Sequence, residues 1–216
     1  MTTVAVAPGP GLARVFESLG VGAIIAGGQT MNPSTEDILK AINGVKTDKV
    51  IVLPNNKNII LAAEQAKQLT QKTVAIVPTT TVPQGISALL AFNFQNDLHT
   101  NVQAMSSAAK HIKTVEITTA TRSARLDGIE VKEGQVIALI DDVLAAAGED
   151  RTALTLQVLK HIHTDEAEIV TVYYGDSISA REAETLGEQI RLRFPTQEIE
   201  IVSGAQPHYH YIISVE

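Results

Sequence analysis

The chain has no cysteine, which removes thiol nucleophiles, thiolate zinc sites and a disulfide framework together. It has no tryptophan, and aromatic residues are only 4% of its 216 positions. A core must therefore come from Val, Ile, Leu and Ala, and little is left for stacking on single-stranded nucleic acid. No apolar run reaches the length of a membrane span, and the first residues carry no signal-peptide pattern; the expectation is a soluble cytoplasmic chain. The formal net charge of −7 argues against nucleic acid or an anionic membrane as the main partner. Catalytic signatures are missing too. There is no G-x-x-x-x-G-K-[ST] phosphate loop and no G-x-S-x-G nucleophile elbow. Gly9–Pro10–Gly11 makes a poor dinucleotide fingerprint, because Pro10 has no N–H and the third glycine is absent.

What is present is alternation. Residues 4–7, 23–26, 50–53 and 74–77 are short continuous apolar runs, the pattern of strands buried on both faces. Between them lie helical stripes: Leu12, Val15, Phe16 and Leu19; Ile38, Leu39, Ile42 and Val45; Ile59, Ala63, Ala66 and Leu69; then Ile86, Leu89 and Leu90. A last stripe runs through Leu98, Val102, Met105, Ala109 and Ile112. Residues 1–112 thus read as a parallel, doubly wound α/β lobe. The pattern changes at 113. Strand-like segments at 113–121, 129–131 and 135–141, separated by Asp127–Gly128 and Lys132–Glu133–Gly134, read as an antiparallel meander over 113–142. Asp150 can cap a helix to about residue 162, ahead of a strand at 169–174. Ser179 and Glu182 have capping-box spacing, Pro195 stops that helix, and strands follow at 198–202 and 209–215. Residues 113–216 are therefore a mixed-sheet α/β lobe.

In a parallel α/β sheet, ligands bind beside the loops leaving the carboxyl ends of the strands. Those loops are polar here. Gly27 and Gly28 would let backbone N–H groups approach a guest, Gln29, Thr30 and Asn32 offer hydrogen bonds, and Ser34 would cap the next helix and aim its positive end at the same edge. Asn55, Asn56 and Lys57 form a second candidate group, and Thr79 and Thr80 a third. If these loops meet a partner, Gln29, Thr30, Asn32, Asn55, Asn56 and Lys57 are exposed. The competing reading is turn and cap chemistry, in which glycines turn the chain and asparagines cap helices. Elsewhere His161 and His163 straddle a helix end, His208 and His210 open the last strand, Asp141 and Asp142 point to opposite faces of a strand, and Arg122 and Arg125 sit at a hairpin. None of these pairs reaches the three or four ligands zinc wants.

The strings Gly27–Gly28–Gln29–Thr30–Met31–Asn32–Pro33–Ser34 and Leu53–Pro54–Asn55–Asn56–Lys57–Asn58–Ile59 are distinctive, as are Val82–Pro83–Gln84–Gly85 and Gly204–Ala205–Gln206–Pro207–His208–Tyr209–His210–Tyr211. Together they make the chain resemble the C-terminal domain of the dihydroxyacetone-kinase-like bacterial fatty acid kinase A protein. The layout is also similar to DegV-type fatty-acid-binding proteins, which have two α/β lobes with a ligand between them. The resemblance implies a two-lobed DegV-like domain of a longer, trimmed protein. Its partners would be an N-terminal kinase domain, which uses ATP and magnesium, and a DegV-family carrier that presents the fatty acid for acyl phosphate formation in phospholipid synthesis. It implies no cofactor, metal or catalytic residue in this domain. DegV carriers hold the acyl carboxylate with serine and threonine hydroxyls, whereas the matching loop here reads Asn55–Asn56–Lys57. The leading expectation is a non-catalytic interaction domain. A lipid- or anion-sensing domain and a phosphatase-like enzyme are the alternatives.

Overall fold

Strands that are apolar at every position need both faces covered. The computed structural model, which describes residues 1–29, 31–126 and 128–216, shows what covers them in the compact unit Met1–Ile112. There β1 (Thr2–Ala7), α1 (Pro10–Ser18), β2 (Ala23–Ala26), α2 (Thr35–Gly44), β3 (Lys49–Leu53), α3 (Lys57–Leu69) and β4 (Thr73–Ile76) alternate. They are followed by α4 (Val82–Leu90) and α5 (Leu98–His111). The strands pair in the order β2-β1-β3-β4, parallel throughout. Val4, Val6, Val50 and Val52 pack with Ile38, Ile42, Ile59 and Ala63 in one buried cluster. Two members of the expected stripes fall outside the core: Leu69 and Leu90 are 64% and 63% exposed. Each is the last residue of its helix, beyond the sheet that covers the earlier turns.

The second unit, Lys113–Glu216, contains β5 (Lys113–Thr119), β6 (Ala124–Leu126), β7 (Ile129–Val131), β8 (Val136–Ile140), β9 (Val143–Gly148), α6 (Arg151–His161), β10 (Ile169–Tyr174), α7 (Ala180–Arg193), β11 (Glu198–Ser203) and β12 (Tyr209–Val215). Its main sheet runs β11-β10-β12-β5-β8-β9, with β10 and β11 parallel and the other neighbours antiparallel. Leu154 and Leu159 of α6 and Leu186 and Ile190 of α7 bury against Ile117, Val172 and Ile213 of this sheet.

The meander expected over 113–142 is corrected in two ways. β5 pairs directly with β8, while β6 and β7 pair only with each other in a separate ribbon. A further strand, β9, completes a hairpin with β8. Its sequence, Val-Leu-Ala-Ala-Ala-Gly, has low strand propensity, and the ladder to β8 fixes it instead. Asp141 and Asp142 are the turn of that hairpin rather than strand residues. Both have positive φ, 48° and 69°, as a type I′ turn requires. Asp127, named with Gly128 as a hairpin signal, lies outside the described residues.

Candidate functional site

Because β1 to β4 are parallel, the loops after them emerge on one edge of the sheet. The loop after β2 is a tight turn: the Gly28 N–H donates to the Met31 carbonyl at 3.1 Å and the Met31 N–H to the Gly28 carbonyl at 3.2 Å. The Gly27 N–H donates to the Ala7 carbonyl at 3.1 Å. Both glycine N–H groups are thus bonded inside the protein rather than offered to a guest. Close packing explains the residue type. A Cβ on Gly28 would lie 2.5 Å from Pro8 Cβ, and one on Gly27 would lie 2.7 Å from Pro33 Cδ. Ser34 caps α2, its Oγ accepting from the Asp37 N–H at 3.1 Å while the Asp37 carboxylate accepts from the Ser34 N–H at 2.9 Å. Hydrogen bonds from Ser34 hold the Asp37 carboxyl below its ordinary value. Gln29, Asn32 and Ser34 are part-exposed or exposed. Met31, passed over in the sequence, is 69% exposed beside them; a large apolar residue in a polar turn was the only signal for it. Thr30 lies outside the described residues.

Asn55 and Asn56 are buried, at 7% and 9% exposure, which corrects the expectation that they face outward. Asn55 ties three strand ends together. Its Nδ2 donates to the Val6 carbonyl at 2.8 Å, its Oδ1 accepts from the Thr79 hydroxyl at 2.7 Å, and its N–H donates to Thr79 Oγ1 at 3.1 Å. Thr79 is 1% exposed, so it belongs to this clamp and lines no open pocket. Asn56 caps α3 by accepting from the Asn58 N–H at 2.8 Å, and its Nδ2 donates to Gln29 Oε1 at 3.0 Å. The Thr80 N–H and hydroxyl both donate to Gln84 Oε1, at 2.9 and 3.1 Å. Lys57, at the start of α3, is exposed. The structure therefore brings the candidate loops together and joins them through Asn55 to Thr79 and Asn56 to Gln29. An open groove of about 960 Å³ lies elsewhere, along β2 and α2, with Ile24, Lys40 and Lys46 among its lining; none of the described candidate residues borders it.

In the second unit the histidines do not act as pairs. His161 ends α6, and His163 follows it in the left-handed region with φ 56°. His208 has φ 69° and precedes β12. His210, at an irregularity in the β12–β5 register, has Nδ1 3.1 Å from Ser177 Oγ and Nε2 2.9 Å from Thr119 Oγ1. Burial first, and the Arg151 guanidinium second, push its pKa below 6.5. Arg122 and Arg125 are both exposed. Among the described residues no three His, Asp or Glu side chains converge as metal ligands would, and no helix is long and apolar enough to cross a membrane.

Comparison with known proteins finds a match over residues 2–216 to the C-terminal family of proteins like the fatty acid kinase A chain. Protein YloV of Bacillus subtilis is 40% identical over 99% of this chain, but the match spans only 38% of that longer protein. Among solved structures, the DegV family protein Cg2579 of Corynebacterium glutamicum superposes with a TM-score of 0.68 at 15% identity, covering 99% of this chain and 96% of that one. The fatty acid kinase B3 protein of Streptococcus pneumoniae, loaded with linoleic acid, gives 0.63 at 12% identity, covering 100% and 99%.

Proposed function

Since the chain belongs to the fatty acid kinase A-like C-terminal family, we propose that it is a non-catalytic module that docks a DegV-family fatty-acid carrier for acyl phosphate formation. The observation carrying this reading is that the family match takes in the whole chain while its longer relatives extend well beyond it. Catalysis with ATP and magnesium then belongs to the remainder of such a protein. In this chain the Gly27 and Gly28 N–H groups are bonded to Ala7 and Met31, which leaves that glycine turn no donors from these two residues for a phosphate. The outward-facing residues of the sheet edge, Gln29, Asn32, Ser34 and Lys57, with Gly27, Gly28, Asn55, Asn56, Thr79 and Thr80 as their scaffold, are the polar surface this reading offers.

Sedimentation velocity of the chain mixed with a linoleic-acid-loaded DegV protein of the same organism tests the proposal; a faster-moving complex is expected. Incubated with ATP, magnesium and the loaded carrier, the chain alone is expected to make no acyl phosphate. Turnover that follows the protein through purification and falls in Lys57→Ala would refute the non-catalytic part. A second reading, that the chain itself holds an acyl group, is favoured by its sharing a fold with a protein loaded with linoleic acid. Native mass spectrometry separates the two: the bare chain mass supports docking alone, and an added acyl mass supports direct binding.

A further inference from the structure

The second unit holds a group of side chains that the docking reading does not use. Ser177 and Thr119 are exposed and His210 is half-buried. The histidine ring lies between the two hydroxyls, with Nδ1 3.1 Å from Ser177 Oγ and Nε2 2.9 Å from Thr119 Oγ1. The three come from separate elements: the loop after β10, the end of β5 and the start of β12. Because β10 runs parallel to β11, the Ser177 loop leaves the carboxyl end of a parallel strand, where α/β sheets present groups to a ligand.

Backbone contacts hold Ser177 in place. The Gly175 N–H donates to the His210 carbonyl at 2.9 Å, the Asp176 N–H to the Gln206 carbonyl at 3.1 Å and the Ile178 N–H to the Gly175 carbonyl at 3.1 Å. A Cβ on Gly175 would lie 2.1 Å from the Tyr209 carbonyl oxygen, so glycine is what lets this loop approach β12. The loop and the histidine are therefore fixed against each other, and a nucleophile gains most from a base positioned in advance.

A neutral imidazole has one N–H and one lone pair. When Thr119 Oγ1 accepts from Nε2–H, the lone pair on Nδ1 is left to take the Ser177 proton. That is the nucleophile, base and orienting group of a serine triad, with threonine in the carboxylate's place. Burial first, and Arg151 second, hold the histidine below its ordinary value, so the base is available at neutral pH. The Arg151 side chain is 33% exposed and pairs with Glu182 at 3.8 Å, longer than a hydrogen bond. Its charge beside His210 favours a donor whose leaving group is an anion.

We propose that Ser177 is a nucleophile that accepts an acyl group from an acyl phosphate, with His210 as its base and Thr119 as the residue that positions His210. The bond from Ser177 Oγ to the carbonyl carbon forms as that carbon's bond to the phosphate oxygen breaks. Phosphate leaves with the electron pair, and the Ser177 proton passes to His210 Nδ1. The product is one acyl ester and no acyl phosphate is made, so the proposal goes beyond the docking reading and does not depend on it.

Acetyl phosphate is the probe, with acid quenching, proteolysis and mass spectrometry of the folded chain. An acetyl ester on Ser177 is expected. Alkaline hydroxylamine cleaves it and spares the acetyl amides that the same reagent leaves on lysines. His210→Gln is expected to slow ester formation by about a hundredfold or more. Thr119→Val is expected to slow it as well, and Thr119→Ser, which keeps the hydroxyl, to restore it. Ser179, also exposed but bonded to the Glu182 carboxylate at 2.9 Å, is the internal reference. A Ser177 ester that forms no faster than one on Ser179 overturns the proposal, as does an undiminished rate in His210→Gln. An ester on Thr119 in place of Ser177 gives the nucleophile to the other hydroxyl and overturns the assignment. No ester on Ser177 in the wild-type chain overturns it outright.

Discussion

The asparagine at position 55 combines a left-handed backbone, φ 55°, with a side chain bonded on both its amide atoms. Asparagine tolerates that conformation better than most residues, and its amide supplies both a donor and an acceptor. Its neighbour Gly85 is bound by the same geometry, since a Cβ there would sit 2.0 Å from Asn55 Oδ1. Asn55→Ala removes the partners of the Val6 carbonyl and the Thr79 hydroxyl inside the protein. It is expected to lower stability by about 2–3 kcal/mol, whereas Asn32→Ala, exposed, changes it by less than about 0.5 kcal/mol. Urea denaturation of both variants checks this, and equal midpoints would contradict the clamp. His210 gives a second expectation. Its folded pKa lies below 6.5, so the unfolded chain binds the proton more readily. The stability it contributes is complete above pH 6.5 and is lost as pH falls through the lower folded value. His210→Gln removes that dependence, so between pH 7.5 and 5.5 its urea midpoint should move less than the wild-type midpoint.

Helix starts follow short-range chemistry, and they were the most legible elements. Ser34, Asp150 and Ser179 stand where the spacing puts them, each accepting a bond from the backbone three residues on. Ser179→Ala is expected to cost about 1 kcal/mol at neutral pH. The same cap holds the Glu182 carboxyl below 4.5, chiefly through the Ser179 N–H. That stabilisation exists above pH 4.5 and fades as pH falls through the lowered value; alanine keeps the N–H but loses the hydroxyl's own bond to Glu182 Oε2 at 2.9 Å, so the part of the gap due to that bond should narrow in acid. Thermal melts at pH 7 and pH 3 decide it. β9 was not legible, because three alanines and a glycine carry no strand signal of their own. A hairpin signal was legible ahead of β7, but β6 was not, nor was the ribbon's separation from the main sheet, since pairing partners are not written in propensity.

For the whole chain, each unit has its own sheet and its own buried cluster. Protection from hydrogen exchange should follow position in those sheets. The central strands β1 and β3, and β12 and β5, are expected to exchange slowest, while the edges β2, β4, β11 and β9 exchange sooner. Edge strands as protected as β1 would contradict this ordering. By itself the sequence determined the α/β alternation, the parallel character of the first sheet and the caps at Ser34, Asp150 and Ser179. Each of these depends on residues within a turn or a strand of one another. Only the tertiary structure decided which residues of the polar loops turn inward. Asn55 meets Val6 across 49 positions and Thr79 across 24, so its burial depends on strand order and register, which local spacing does not carry. In loops read as open because their residues are polar, Asn55, Asn56 and Thr79 are buried by partners that the chain brings to them only when the sheet assembles, while Gln29, Asn32 and Lys57 stay exposed.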